Sequence, residues 1–279
     1  MTGGFTLKRT LLAGIALGVL AAPAMAADMY VKAPAPYPYL WNGFYAGLNV
    51  GYADEQSTFT TAANPTSDLA LGVVPGVSEG LAALSSGRIT TNSGMGFIGG
   101  GQVGYNLQLG NLWVAGLEAD IQGKSGTSNG TVAAGAVVVG VPVTSVQTVN
   151  ASTDWLGTVR GRFGILVSPT WLVYFTGGLA YGGSSGNSTL TQSGSNGFLG
   201  VGTGNFSNTR IGYTLGGGAE WMFARNWSAK VEYLFYDLGT TNFSYAATSG
   251  FFLTPVYQTV SNTVRLEGNI ARVGVNYHF

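Results

Sequence analysis

From about Trp41 onward the chain alternates between apolar side chains and small or polar ones. Successive side chains on a β-strand point to opposite faces, so a period of two marks a strand lying between two different environments. The first such segment is Gly43 to Tyr52, where Phe44, Ala46, Leu48, Val50 and Tyr52 alternate with Tyr45, Gly47, Asn49 and Gly51. Seven more follow. In 96–109, Phe97, Val103, Tyr105 and Leu107 oppose Gly100, Gln102, Gly104 and Asn106. In 113–122, Trp113, Ala115, Leu117, Ala119 and Ile121 oppose Glu118, Asp120 and Gln122. In 155–165, Trp155, Val159, Phe163 and Ile165 oppose Arg160 and Arg162, and in 171–183, Val173, Phe175, Leu179 and Tyr181 share one face. In 210–221, Ile211, Tyr213, Leu215, Ala219 and Trp221 oppose Arg210, Thr214 and Glu220. In 227–235, Trp227, Ala229, Val231, Tyr233 and Phe235 oppose Lys230 and Glu232. The last segment sets Ala271, Val273, Val275, Tyr277 and Phe279 against Arg272, Asn276 and His278.

The connections alternate in length. Gly110-Asn111, Ser168-Pro169-Thr170 and Ala224-Arg225-Asn226 make three short turns. The other four connections, near 53–95, 124–152, 184–207 and 240–263, are long and rich in Ser, Thr, Asn and Gly. An even number of strands with this alternation predicts an all-β fold: an eight-stranded antiparallel up-and-down transmembrane β-barrel. Short turns then face the periplasm and four long loops face outward. Trp41, Trp113, Trp171, Trp221 and Trp227 fall at the short-turn ends, and Trp155, Tyr52, Tyr181 and Tyr213 nearer the loop ends. Two such groups are expected as aromatic girdles at the two membrane surfaces.

Composition agrees with that picture. Only 9% of the 279 residues are charged and 46% are hydrophobic, where a soluble domain carries roughly 25% charged residues. Past residue 27 there is no apolar run approaching the ~20 residues of a membrane helix, which leaves the closed barrel as the way to satisfy the backbone in lipid. A formal charge of zero gives no electrostatic case for nucleic acid. The absence of Cys excludes a disulfide framework and a thiolate metal site, and no motif calls for a metal or other cofactor. At the N-terminus, Lys8 and Arg9 precede an apolar run from Leu11 to Ala22 and a small-x-small site at Ala24-Met25-Ala26. The reading is a secretory signal peptide over 1–26, cleaved after Ala26, a Pro-rich periplasmic arm over 27–40, and the barrel over 41–279. A membrane anchor fits less well, because the run is short and no stop-transfer flank follows.

The inward charges carry the candidate chemistry. An eight-stranded barrel is just wide enough for side chains to fill, and a charge inside it must be paired. The expected mixed-sign network comprises Glu118, Asp120, Arg160, Arg162, Arg210, Glu220, Lys230, Glu232 and Arg272. Glu118 is expected near Arg162, Glu220 near Lys230 and Glu232 near Arg272. Two readings stand side by side: a polar plug that fixes register, or a narrow, gated ion path. His278 is the single histidine. Lipid hydrolases on barrels need a His with a Ser or carboxylate, and Ser228 is the nearest serine by topology. His278 is read as an interfacial residue and no enzyme is expected. Gly99-Gly100-Gly101-Gln102-Val103-Gly104 matches GxGxxG but lies inside a strand, without the helix that phosphate binding requires. Asn129-Gly130-Thr131 and similar triplets carry no weight. The first long loop holds Asp54, Glu55, Asp68 and Glu79 against Arg88. It is either a recognition surface or a hydrophilic shield.

Three stretches carry a family resemblance: WNGFYAGLNVGY (Trp41 to Tyr52), WSAKVEYLFYDLG (Trp227 to Gly239) and ARVGVNYHF (Ala271 to Phe279). With the linker after the signal segment, they resemble the opacity-type major outer-membrane surface proteins of Brucella and the rhizobia. That resemblance implies the fold of the OmpA transmembrane domain, in the outer membrane of a Gram-negative bacterium. It implies contact with outer-membrane lipid and lipopolysaccharide, and recognition of the terminal Phe279 by the barrel-assembly machinery. It carries no catalytic residues. Members are described as porins or as surface antigens. The expected role is therefore structural and interactive at the cell surface, with loops available to a surface ligand; the alternative is a small porin-like diffusion channel. Full-length OmpA proteins continue past the last strand into a peptidoglycan-binding domain, which is not expected here.

Overall fold

The computed structural model describes residues 41–65, 75–91, 95–251 and 254–279. The signal peptide and arm read at 1–26 and 27–40 lie outside the described residues. The alternating segments form strands, and they run in the order β1 (Gly43–Pro65), α1 (Val77–Ser85), β2 (Gly87–Thr90), β3 (Met95–Leu109), β4 (Trp113–Lys124), β5 (Ser128–Val138), β6 (Val141–Ser168), β7 (Trp171–Gly194), β8 (Leu199–Ala224), β9 (Trp227–Phe251) and β10 (Thr254–His278).

All pairings are antiparallel. From β1 the hydrogen-bonded order is β3, β4, β6, β7, β8, β9 and β10, and β10 pairs back onto β1 from Tyr45↔His278 to Pro65↔Gln258, closing the sheet on itself. Ten strands are present among the described residues, not the eight expected. The additional two branch from the ring: β2 pairs with β1 over Thr58–Thr61, and β5 forms a hairpin with β6.

Both extra strands come from segments read as loops, and the ring strands also run further than expected. β6 has 28 residues, β8 has 26, and β9 and β10 have 25 each, whereas ~9–11 residues suffice to cross a bilayer. The long connections shrink to tips such as Ser195–Phe198 and Val139–Gly140. The physical reason lies in the outer face. In β6, Val143, Gln147 and Val149 are buried while Thr144, Thr148 and Asn150 point outward. The period of two continues, but the outward residues change from apolar to polar.

Nearer the short turns the outward face is apolar all round the ring. Phe44, Phe175 and Ile211 are 66%, 80% and 73% exposed. So large a continuous apolar surface on a closed sheet is what a lipid environment accommodates.

The interior is filled in layers along the strands. Nearest the short turns, Trp41 packs with Val114, Leu166, Leu172, Tyr174 and Met222. Next comes a layer of charged groups. Above it, Ile98, Leu156, Leu234, Tyr236, Leu266 and Ile270 belong to one buried apolar cluster. Higher still, Gln147 Nε2 donates to Thr61 Oγ1 at 2.9 Å and Ser188 Oγ at 3.0 Å. At the loop end, α1 buries Val77 and Leu81 against Val138, Val143, Phe198 and Val256. Gln192 Nε2 ties the helix down by donating to the Leu81 carbonyl at 2.9 Å and to Ser85 Oγ at 2.8 Å.

Candidate functional site

The charged layer is assembled from inward positions of five ring strands. β4 supplies Glu118 and Asp120, β6 supplies Arg160 and Arg162, β8 and β9 supply Glu220, Lys230 and Glu232, and β10 supplies Arg272. All eight are buried. Four cations face four carboxylates, so the layer is formally neutral.

Arg160 is the hub. Its guanidinium meets Glu118 Oε1, Asp120 Oδ2 at 2.9 Å and Glu232 Oε1 at 3.0 Å. Arg272 spans the same group, with Nη2 2.5 Å from Glu232 Oε2 and 2.9 Å from Asp120 Oδ2. Lys230 Nζ donates to both oxygens of Glu118, at 2.8 and 2.9 Å. Arg162 Nη2 donates to Glu220 Oε2 at 2.6 Å and its Nη1 to Tyr45 Oη at 2.9 Å. Its guanidinium also lies 4.1 Å from the Tyr174 ring centroid, a cation–π contact. Tyr45 and Tyr174 complete the shell, donating to Glu118 Oε2 at 2.7 Å and Glu232 Oε1 at 2.9 Å. Guanidinium–carboxylate hydrogen bonds are directional, and this set links β6 to β4, β8 and β9, and β10 to β4.

The structure rearranges the pairings expected from sequence. Glu232 and Arg272 are register partners and ion-paired. Glu118 lies opposite Arg160 on β6, and Arg162 approaches it from two residues away at 3.6 Å. Glu220 and Lys230 are register partners, yet Lys230 reaches across to Glu118 while Glu220 takes Arg162. Arg210 does not join the network. It sits four residues beyond Thr214 toward the loops, where β8 and β9 are unpaired between Gly202 and Tyr213, and its guanidinium turns to the Thr240 carbonyl.

The aromatics divide as well. Trp113, Trp171, Trp221 and Trp227 are exposed on the outer wall at the short-turn end, with Trp171 stacked on Trp221 at 5.8 Å. Tyr52 and Tyr213 are exposed nearer the loops, and Trp155 packs edge-on against Tyr181 at 5.9 Å. Trp41 is the exception. It is fully buried inside the ring, and its indole N–H donates to the Pro169 carbonyl at 3.1 Å. It precedes β1, so the strand alternation that places the other tryptophans does not apply to it. Phe279 is exposed, packs edge-on against Tyr277 at 5.2 Å, and its backbone N–H donates to the Phe44 carbonyl at 3.0 Å.

His278 and Ser228 do meet. Ser228 Oγ lies 2.9 Å from His278 Nε2 and donates to Glu220 Oε1 at 2.5 Å. A serine–histidine–carboxylate triad needs the carboxylate on the far ring nitrogen, orienting the base. Here Glu220 binds the serine and approaches the same Nε2, at 3.6 Å. Ser228 is fully buried and Trp41 stands edge-on to the imidazole at 5.9 Å. The three residues form a hydrogen-bonded closure of the turn end. Among the described residues, no group of acidic, His or Cys side chains could hold a metal ion.

A second buried ion pair lies outside the network expected from sequence. Lys124 Nζ lies 3.0 Å from Glu55 Oε2, and Tyr236 Oη donates to the same oxygen at 3.2 Å. Its signal was present: Glu55 keeps the odd-numbered inward parity of Tyr45 and Asn49, and Lys124 the even-numbered parity of Glu118 and Asp120. Both lie in segments whose sequence reads as loop. Higher up, burial pushes the Tyr245 phenol above its ordinary value, so it faces Ser188 Oγ as a neutral hydroxyl at 3.1 Å.

Comparison with known proteins agrees with this architecture. The family described as outer membrane protein beta-barrel domain matches residues 13–279. The chain is 36% identical to the 31 kDa outer-membrane immunogenic protein of Brucella melitensis, covering 98% of this chain and 100% of that one. It is 32% identical to a 22 kDa outer membrane protein of Rhizobium leguminosarum, over 52% of this chain and 58% of that one. Among solved structures, the outer membrane protease OmpT of Escherichia coli is similar with a TM-score of 0.37 and 8% identity, covering 85% of this chain and 97% of that one. The attachment invasion locus protein Ail of Yersinia pestis gives a TM-score of 0.28 and 11% identity, covering 83% and 99%. With a closed antiparallel sheet, an apolar outer wall and a match over nearly its whole length, the chain belongs to the outer membrane protein β-barrel domain family.

Proposed function

We propose that this protein is an exported surface protein of the outer membrane whose barrel is a sealed structural support, holding a tall polar sheet outside the cell. In this reading residues 1–26 direct export and the exposed C-terminal Phe279 engages barrel assembly. The short turns face the periplasm, and the extended strands with α1 stand outside. The eight-strand ring is the membrane-spanning part, with β2 and β5 belonging to the external portion.

The observation that supports sealing is the filled interior. The charged layer lies between the Trp41 cluster and a buried apolar layer of Leu156, Leu234, Ile98 and Ile270. An ion crossing the barrel would have to pass those apolar side chains, and the polar groups beside them are engaged with one another, Gln122 with Asp120 and both Lys124 and Tyr236 with Glu55, so replacing its hydration is costly. A diffusion channel would need that layer to part. Two measurements test the reading. A Ser195→Cys variant, in a chain without other cysteines, is expected to react with a membrane-impermeant maleimide on intact cells; reaction only after lysis would reverse the orientation. Proteoliposomes carrying the folded protein are expected to swell in isotonic sugar no faster than protein-free vesicles. Swelling that scales with protein content would replace the sealed barrel with a channel.

A further inference from the structure

Beyond the apolar band, the outer wall carries a pattern that neither the charge network nor the sealed interior explains. Asn129 of β5, Asn150 of β6, Asn187 of β7 and Asn205 of β8 are register partners, forming a row of four asparagines across four adjacent strands. Two residues further along, Thr131, Thr148, Thr189 and Thr203 form a row of four threonines in the same way. On the other side, Ser152, Ser185 and Ser207 form a row of three serines. All point outward, as the alternation around buried Val149, Ala151, Ser188 and Phe206 requires. Neighbouring strands are ~4.8 Å apart and alternate residues ~6.7 Å apart, so the rows make a regular lattice of amides and hydroxyls.

A concavity of about 390 Å³ lies over the asparagine and serine rows, lined by Asn150, Ser152, Ser185, Asn187, Asn205 and Ser207. Some of the groups bond to each other: Asn150 Nδ2 donates to Asn187 Oδ1 at 3.0 Å, and Ser152 and Ser185 hydroxyls lie 3.2 Å apart. Asn205 and Ser207 are exposed and make no side-chain hydrogen bond among the described residues, leaving donors and acceptors directed outward.

We infer that this lattice is a docking surface for the uncharged oligosaccharide of the surrounding outer-leaflet glycolipid. The inference rests on the orientation proposed above. Three features select that occupant. The rows contain no charge, and the nearest outward one is the carboxylate of Asp154, bonded by Ser152 Oγ at 3.2 Å; phosphate recognition needs Arg or Lys instead. The rows also lack the exposed Trp, Tyr or Arg anchors that dominate protein–protein contacts. Finally, the serine row begins three residues above Trp155, on the side wall and not at the strand tips. That is ~10 Å beyond the aromatic boundary, the level of sugars attached to the neighbouring lipid.

A purely structural role is the competing account, since like polar pairs across strands add ~0.2–1 kcal/mol each. The two separate in one experiment on the full chain refolded in detergent micelles. The probe is the core oligosaccharide released from the glycolipid by mild acid and dephosphorylated, read by saturation-transfer NMR and titration. Saturation transfer to the sugar is expected with the unaltered protein. The double variant Asn187→Val, Asn205→Val keeps β-forming side chains and is expected to bind at least ten-fold more weakly at an unchanged urea midpoint; Ser207→Val serves in its place should the double variant not fold. No transfer with the unaltered protein, or equal binding by the folded variant, overturns the inference. Maleimide labelling of Asn205→Cys on intact cells reads the orientation separately, so a failure there is distinguishable from a failure of sugar binding.

Discussion

Arg160 joins carboxylates from two strands, and its loss would leave Glu118, Asp120 and Glu232 short of their shared cation. Removing one member of a buried ion pair typically costs ~3–5 kcal/mol. Arg160→Ala is expected to destabilise the barrel by about that amount, read from urea unfolding in lipid vesicles. Arg160→Lys keeps the charge but not the fork, and a smaller loss is expected. A loss below ~1 kcal/mol for the alanine variant would mean the network does not hold the strands. A different residue-scale strain sits at the β5–β6 tip. Val139 and Gly140 have φ of 45° and 81°. Positive φ at both positions is the geometry of a two-residue hairpin turn that favours Asn-Gly, and it is unfavourable for a β-branched side chain. Val139→Asn is expected to slow amide exchange across β5, and faster exchange would contradict this account of the turn.

At the scale of elements, much of the fold was legible because alternation is a direct consequence of strand geometry. The inward and outward sets of the ring strands near the turns follow from it, as do the three short turns. The upper halves of the strands were not legible as strands, because the expected signature of lipid on the outer face stops there. The inward face stays apolar at Val143, Val149 and Val264, while outward apolar residues such as Val137, Leu199 and Val201 are scattered among polar ones. The inward apolar layer was hidden for a related reason: the lumen was expected to be polar, although Leu156, Leu234 and Ile270 have inward parity. Ion-pair partners were only partly readable. Register fixes which backbones oppose each other, but long Arg and Lys side chains choose among several carboxylates, as Lys230 does in reaching Glu118. α1 had no sequence signal strong enough to find it: it is nine residues long, with Gly76 at its N-cap and no side-chain cap. Its place depends on tertiary burial of Val77 and Leu81. Leu81→Glu is therefore expected to abolish amide protection over 77–85 while leaving that of β3 and β4 unchanged. Retained protection in the helix would show that the buried leucine does not hold it.

For the whole molecule, the layers combine into one argument about transport. A formally neutral charged layer, closed below by Trp41 and His278 and above by an apolar layer, places every interior charge opposite another. In the proposed reading such an interior fixes register and supports an external sheet, with no water-lined path through it. The most direct test is single-channel recording of the folded protein in planar bilayers, beside the variant Leu156→Gly, Leu234→Gly that opens the apolar layer. The sealed barrel predicts no conductance steps from the unaltered protein. Reproducible steps from it, changed in size by Arg162→Ala, would contradict the account.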